Sequence, residues 1–149
     1  MSEGDSASRF GARELAPHEI DELLRRGWWG TLATSADGEP YGVPVVYGYD
    51  GERFYIASAP GKKIRNIEAN ANVCLTVVET DGGPGDWASV LVLGHAELVR
   101  GIRGHLDAVR ALRAQVGRRG EVTMEDAKRL ARAKVIAIVP REVTGRARA

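Results

Sequence analysis

The dipeptide Asp50-Gly51 is the strongest hairpin signal in the chain, and it orders what lies on either side. Tyr41 to Tyr49, rich in Val and Tyr, reads as a strand running into it, and Arg53 to Ser58 as the strand that returns. Upstream, Trp28 to Ser35 reads as a third strand, joined to Tyr41 by the turn sequence Ala36-Asp37-Gly38-Glu39. Strands this close in sequence pair antiparallel, because a parallel pair needs a crossover of a dozen or more residues. Pro44 has no N–H to give a ladder, so its strand lies at an edge or is locally unpaired.

Three further runs extend the β pattern. Val73 to Glu79 and Trp87 to Val99 are strands, with Gly94 a candidate bulge in the second, and Val135 to Val139 is a final strand ended by Pro140. Between them Thr80 to Asp86 has the composition of a flexible loop. Helices fill the remainder. Pro17 suits a first helical position, with Glu19, Asp21 and Glu22 at the positive end, Arg25 and Arg26 at the other, and Gly27 as the stop. Lys62 to Ala69 is a short helix. Arg103 to Val116 is a longer one with Leu106, Val109, Ala111 and Leu112 apolar, and Gly117 to Gly120 breaks it. Thr123 caps a last helix through Arg132. The expectation is a mainly β fold, a small barrel of six antiparallel strands with peripheral helices. Residues 1–14, rich in small and charged residues, are expected to be mobile until docked, and residues 15–149 to form one domain.

Composition removes several function classes. Against 20 acidic residues stand 21 basic ones, a formal net charge of +1, which speaks against a protein that coats nucleic acid. Cys74 is the single cysteine, so there is no internal disulfide framework and no multi-cysteine zinc site; between Val73 and Leu75 it reads as a small buried hydrophobe. His18, His95 and His105 lack the i, i+4 spacing of a helical metal pair. No apolar run reaches the length of a membrane span, and Met1 to Arg9 lacks the apolar core of a signal peptide, so a soluble cytoplasmic protein with no membrane partner is expected.

The stretch Ser58-Ala59-Pro60-Gly61-Lys62-Lys63 carries the chemistry. It leaves a strand, breaks at Pro60-Gly61 and sets two lysines at a helix start. Free backbone N–H groups, a glycine that permits close approach and positive side chains make a phosphate receptor. On residue types alone an ordinary solvated turn is the better reading, because this is not a Walker loop and no GxGxxG follows a strand. Two cations at the positive end of a helix are unfavourable unless an anion offsets them, which is a reason to expect a ligand. Trp87 borders a glycine-rich loop, where it is either core or a cover for a flat ring. Arg100, Arg103, Arg110 and Arg113 read as a solvated helix face.

Gly30-Thr31-Leu32-Ala33-Thr34, Gly38-Glu39-Pro40-Tyr41-Gly42-Val43-Pro44-Val45, the lysine loop, Asn66-Ile67-Glu68-Ala69-Asn70 and Val73-Cys74-Leu75-Thr76-Val77-Val78 follow in that order. Together they resemble the pyridoxamine 5′-phosphate oxidase-like flavoproteins, and most closely the nitroimidazole-resistance branch, whose Ile-Thr-Gly-Lys ending Val143-Thr144-Gly145-Arg146 resembles. The resemblance implies an FMN-binding split barrel, a homodimer with two cofactor clefts between subunits, and a flavin-dependent oxidoreductase acting on a small molecule. It implies that the backbone of Val43, Pro44, Val45 and Val46 runs along the isoalloxazine, with Ala57 and Ser58 near the ribityl-phosphate end. Gly61, Lys62 and Lys63 would hold the phosphate, and Trp87 and Ser89 would contact the flavin, the Trp87 segment coming from the partner subunit. No side chain is assigned as catalytic. The oxidase has arginine and lysine at its phosphate loop, and the nearest branch often has histidine where this chain has Lys62; the oxidase's C-terminal substrate residues have no match, so pyridoxamine-phosphate oxidation is not expected. A deazaflavin-dependent reductase and a non-catalytic flavin- or haem-binding protein are the alternatives.

Overall fold

A computed structural model describes residues 11–81, 85–117 and 123–148. The elements are β1 (Arg13–Glu14), α1 (Pro17–Arg26), β2 (Trp29–Ala36), β3 (Glu39–Val46), β4 (Gly48–Tyr49), β5 (Phe54–Ser58), α2 (Lys62–Ala69), β6 (Asn72–Thr80), β7 (Trp87–Leu98), α3 (Ile102–Gly117), α4 (Met124–Arg132) and β8 (Lys134–Arg148). All strands belong to one antiparallel sheet in the order β3-β2-β6-β7-β8-β5-β4, with β1 added on β8. The count exceeds the expected six because two two-residue strands, β1 and β4, join the barrel. Residues 1–10, 82–84 and 118–122 lie outside the described residues, and with them most of the segment expected to be mobile and parts of the expected loop and helix break.

The two ends of the sheet, β3 and β4, are successive parts of one chain segment. It pairs with β2 as far as Val46, then passes Tyr47 and pairs with β5 through Gly48 and Tyr49. The sheet thereby closes on itself, and the closure is partial. Tyr47 marks the change of partner because its ring is fully buried and its hydroxyl donates to the Leu24 carbonyl oxygen, 2.7 Å away, at the end of α1. Gly48 is needed there because a Cβ would stand 2.6 Å from the Ala111 carbonyl carbon and the Leu112 nitrogen of α3.

Alternation along each strand decides which side chains fill the barrel. Leu32, Leu75, Val77, Val90, Val92, Phe54, Ile56, Ile136 and Ile138 are essentially inaccessible and form one core with Leu23 and Leu24 of α1. Each such side chain contributes about 1.5–3 kcal/mol by leaving water, so this set outweighs any surface ion pair in the molecule. Val135 to Ile138 is an unbroken apolar run for a different reason. One face meets the barrel core, while Val135 and Ala137 join Tyr55 beneath Ala108 and Ala111 of α3. A strand covered on both faces loses its polar alternation.

The last strand corrects one expectation. Pro140 does not end it; β8 runs on to Arg148. The register against β7 slips at this point, Gly94 facing Pro140 and Leu93 facing Glu142, so Arg141 is the extra residue of a bulge. A missing N–H is tolerated where the ladder is already interrupted.

At the start of α1 the Glu19 carboxylate accepts the Ala16 N–H at 3.0 Å and both terminal nitrogens of Arg13 at 3.0 and 2.8 Å. The Arg13 hydrogen bond, then that from Ala16, hold its pKa down at about 2. With a lowered folded value, the stability this carboxylate contributes is present above the ordinary 4.5 and is lost as pH falls toward about 2. Glu19→Gln should therefore flatten the acid limb of a Tm-against-pH curve within that window.

Candidate functional site

From the rung Gly48–Tyr55, two segments diverge. In one direction β3 runs back from Val46 to Tyr41, paired among the described residues with β2 alone; in the other, β5 continues through Ala57 and Ser58 into α2. Continued register would set Val46 against Ala57 and Val45 against Ser58, but no pairing is made there. A slit opens between the two instead, with the unpaired backbone edge of β3 along one wall. Pro44 stands on that edge strand as expected.

Nine of the residues assigned to the cofactor from sequence lie along this slit. Val43 and Val45 turn into the core, while Pro44 and Val46 turn outward, Val46 with 41% of its surface exposed. Ala57 is half-buried. Ser58 is buried, and its hydroxyl donates to the Ala59 carbonyl oxygen at 2.7 Å. At the far end, Gly61 caps α2 without any side-chain acceptor, and no acidic residue stands in the first turn. The Lys62 amino group lies 5.0 Å from the centre of the Tyr41 ring and 3.9 Å from Glu39 Oε1, so it bridges the slit. Lys63 is half-buried with no hydrogen bond or ion pair among the described residues, and burial pushes its pKa down.

Gly61 is not explained by the fold. Its φ of 173° is extended backbone open to any residue, and a Cβ would meet nothing within 4 Å. What a glycine does offer is unobstructed access to the N–H groups at the start of α2. Two asparagines aim that helix: Asn66, buried, donates to Thr34 Oγ1, and Asn70 donates to Ser35 Oγ, both at 3.1 Å. Both belong to the quoted family motif, yet only their i, i+4 spacing onto β2 shows this docking role.

Trp87 and Ser89 are elsewhere. They open β7 and pair with Arg148 and Arg146, whereas Ser58 pairs with Lys134 at the other end of β8. Counted along that bulged strand, Arg146 and Arg148 lie 12 and 14 residues beyond Lys134, about 40–46 Å of chain at roughly 3.3 Å per residue. Within one protomer they do not reach the slit. They do share its outward face: Val46 faces Trp29, and Val78 faces Ser89, which faces Arg146. Trp29 and Val78 keep 47% and 53% of their surface, and Leu91 adds to the same apolar face.

Sequence reasoning did not find the helical wall. At the Val46–Ala57 end of the slit lies a cavity of about 200 Å³, closed by Leu112, Arg113 and Val116 of α3 and by Arg129 and Leu130 of α4. It opens into a trough along Ala57 to Pro60 that also takes in Arg132. Among the described residues no cluster of His, Cys, Asp and Glu fits a metal ion, and no helix is long and apolar enough to cross a membrane.

The family described as pyridoxamine 5′-phosphate oxidase matches residues 16–147. An uncharacterised protein of Rhizobium meliloti is 32% identical over 92 residues, which is 62% of this chain and 60% of that protein. Among solved structures, a FAD-binding protein of Mesorhizobium loti is 30% identical with a TM-score of 0.73, over 93% of this chain and 99% of that one. A candidate 5-nitroimidazole antibiotic resistance protein of Bacteroides thetaiotaomicron shares the fold at 20% identity and a TM-score of 0.72, over 91% and 87%.

Proposed function

This chain belongs to the pyridoxamine 5′-phosphate oxidase family, and from that membership we propose that it binds a flavin in the slit and uses it as an oxidoreductase on a small molecule. The observation that carries the reading is the start of α2. There a half-buried Lys63 has no anion among the described residues, beside an uncapped helix end and a glycine the fold does not require. Leaving a cation partly desolvated at the positive pole of a helix is unfavourable twice over, and a phosphate removes both penalties.

The roles then follow from position. Gly61, Lys62 and Lys63 take the phosphate, Ala57 and Ser58 flank the ribityl chain, and the open edge from Val43 to Val46 offers backbone groups to the polar rim of the ring. The ring supplies hydride chemistry when bound, and the protein contributes position and exclusion of water. Because Trp87 and Ser89 share the outward face but not the slit, we read that face as the seat of a second copy in a homodimer. A two-fold pairing brings one protomer's Trp87 end to the other's slit. FMN fits the single phosphate site; the Mesorhizobium relative, described as FAD-binding, keeps the dinucleotide form in view.

The absorbance spectrum of the purified protein tests this, followed by titration with FMN and with FAD and by the mass of any cofactor released on heating. A flavin spectrum, or saturable binding of either flavin at one per protomer, is expected. A colourless protein that binds neither would sink the proposal.

A further inference from the structure

We propose that the cavity between α3 and α4 is the substrate site and that it selects a small aromatic anion, a carboxylate above all. The proposal rests on the flavin reading for its place in the reaction, since Val46 and Ala57 form both the floor of this cavity and the near end of the slit. Its walls are Leu112, Val116 and Leu130, flat and aliphatic, as a ring requires. The charges are of one sign. Arg113 and Arg129 stand at the cavity, Arg132 lies further along the trough, and among the described residues no acidic one lines either. A chain with 21 basic and 20 acidic residues does not produce such a groove by composition. None of these three arginines has an ion pair or hydrogen bond among the described residues, while Arg13, Arg25 and Arg26 are all paired with carboxylates.

Arg129 and Arg132 by themselves suit the negative end of α4, an ordinary arrangement. Arg113 is not accounted for that way. It comes from another helix, and both arginines, exposed at the mouth, line the one cavity, so two positive guanidinium side chains border a single small space. Two such forks match the geometry of a carboxylate better than any neutral group does. The floor accommodates the ring, and the exposed arginines hold its charged end at the rim, where salt screens the attraction.

The test is calorimetric titration of 2-naphthoate and 2-naphthalenemethanol, which share a ring and differ in charge, into flavin-loaded protein at low salt. The carboxylate is expected to bind about tenfold or more tighter than the alcohol, and the gap to shrink steeply as salt is raised. Arg113→Ala with Arg129→Ala should abolish the preference while leaving the alcohol's affinity and FMN affinity unchanged; Arg113→Lys with Arg129→Lys should restore part of it. Equal binding of the two probes, or a preference that survives the double alanine change, overturns the proposal. So does a selective loss of FAD over FMN affinity in Arg129→Ala, which would assign the arginines to a second cofactor phosphate. If the protein binds no flavin, the same titration on the purified chain still reads the preference, so failure of the flavin reading and failure of this one are separate results.

Discussion

Lys62→Ala combined with Lys63→Ala is expected to weaken FMN binding by about a hundredfold and to leave the melting temperature within about 2 °C of the parent. On the proposed reading each lysine gives the phosphate a charge-assisted hydrogen bond worth roughly 1.5 kcal/mol or more, and two make about 3 kcal/mol, a factor of about a hundred. Their contribution to the fold is small. The Lys62–Glu39 pair is long and exposed, the contact with the Tyr41 ring adds at most about 1 kcal/mol, and two cations at a helix start cost about as much. Gly61→Ala is the companion change: a Cβ there meets nothing within 4 Å among the described residues, so Tm should hold while FMN affinity falls. A variant pair that binds FMN normally places the phosphate elsewhere.

The pH dependence of that affinity separates Lys63 from its neighbour. Burial lowers the folded pKa of Lys63 from 10.5, so between the lowered value and 10.5 the unfolded chain holds more protons. The protein without flavin is penalised by the charged amine below that window and is relieved of the penalty as pH rises through it. A bound phosphate favours the charged amine and moves the pKa back up. FMN affinity should thus fall as pH rises through the lowered folded value, with proton uptake on binding near it. Lys63→Ala should flatten this fall, and Lys62→Ala should leave it.

What was legible in the sequence was local chemistry. Asp50-Gly51 announced a turn because Asp50 Oδ1 can take the N–H groups of Glu52 and Arg53, at 2.8 and 2.7 Å, and Gly51 can adopt φ 96°. The lysine loop announced an anion for a similar reason, since helix starts and cations act within a turn. Where the reading went astray, a distant segment decided. Pro140 looks like a strand end until Leu93 and Gly94 are placed opposite it, and only then does the bulge that accommodates it appear. The groove was illegible for the same reason. Arg113 on its own helix is a solvated cation, and nothing in its spacing says that Arg129 lines the same cavity. Leu106, read as part of the apolar face of α3, is nearly half exposed, because the face that packs is Ala108, Ala111, Leu112 and Gln115.

Gln115 closes that stripe as a polar residue, and its loss is expected to be the most damaging single change outside the core. From α3 the two Nε2 hydrogens are shared among the carbonyl oxygens of Leu24 at 2.7 Å, of Arg25 at 3.2 Å and of Gly27, at and just past the C-terminus of α1. Its Oε1 accepts the Tyr49 N–H at 3.1 Å, in β4, where the barrel closes. One amide thus ties the end of α1, the closure strand and α3 together. Gln115→Leu keeps the bulk and takes from the Gly27 carbonyl oxygen and the Tyr49 N–H the side-chain partner they have, each loss costing about 1–3 kcal/mol; a total near 3 kcal/mol lowers Tm by about 6–12 °C for a chain of this size. Tyr47→Phe is the contrast, because the Leu24 carbonyl oxygen it abandons still has Gln115, and about 1 kcal/mol is expected. Equal losses in the two variants would show that Gln115 is not the tie. Because Gln115 lies between Leu112 and Val116, its removal also loosens the helical wall of the cavity. Naphthoate binding should then fall in Gln115→Leu at temperatures where the fold is intact, while affinity for FMN, whose proposed anchor is α2 on the other side of the slit, falls much less.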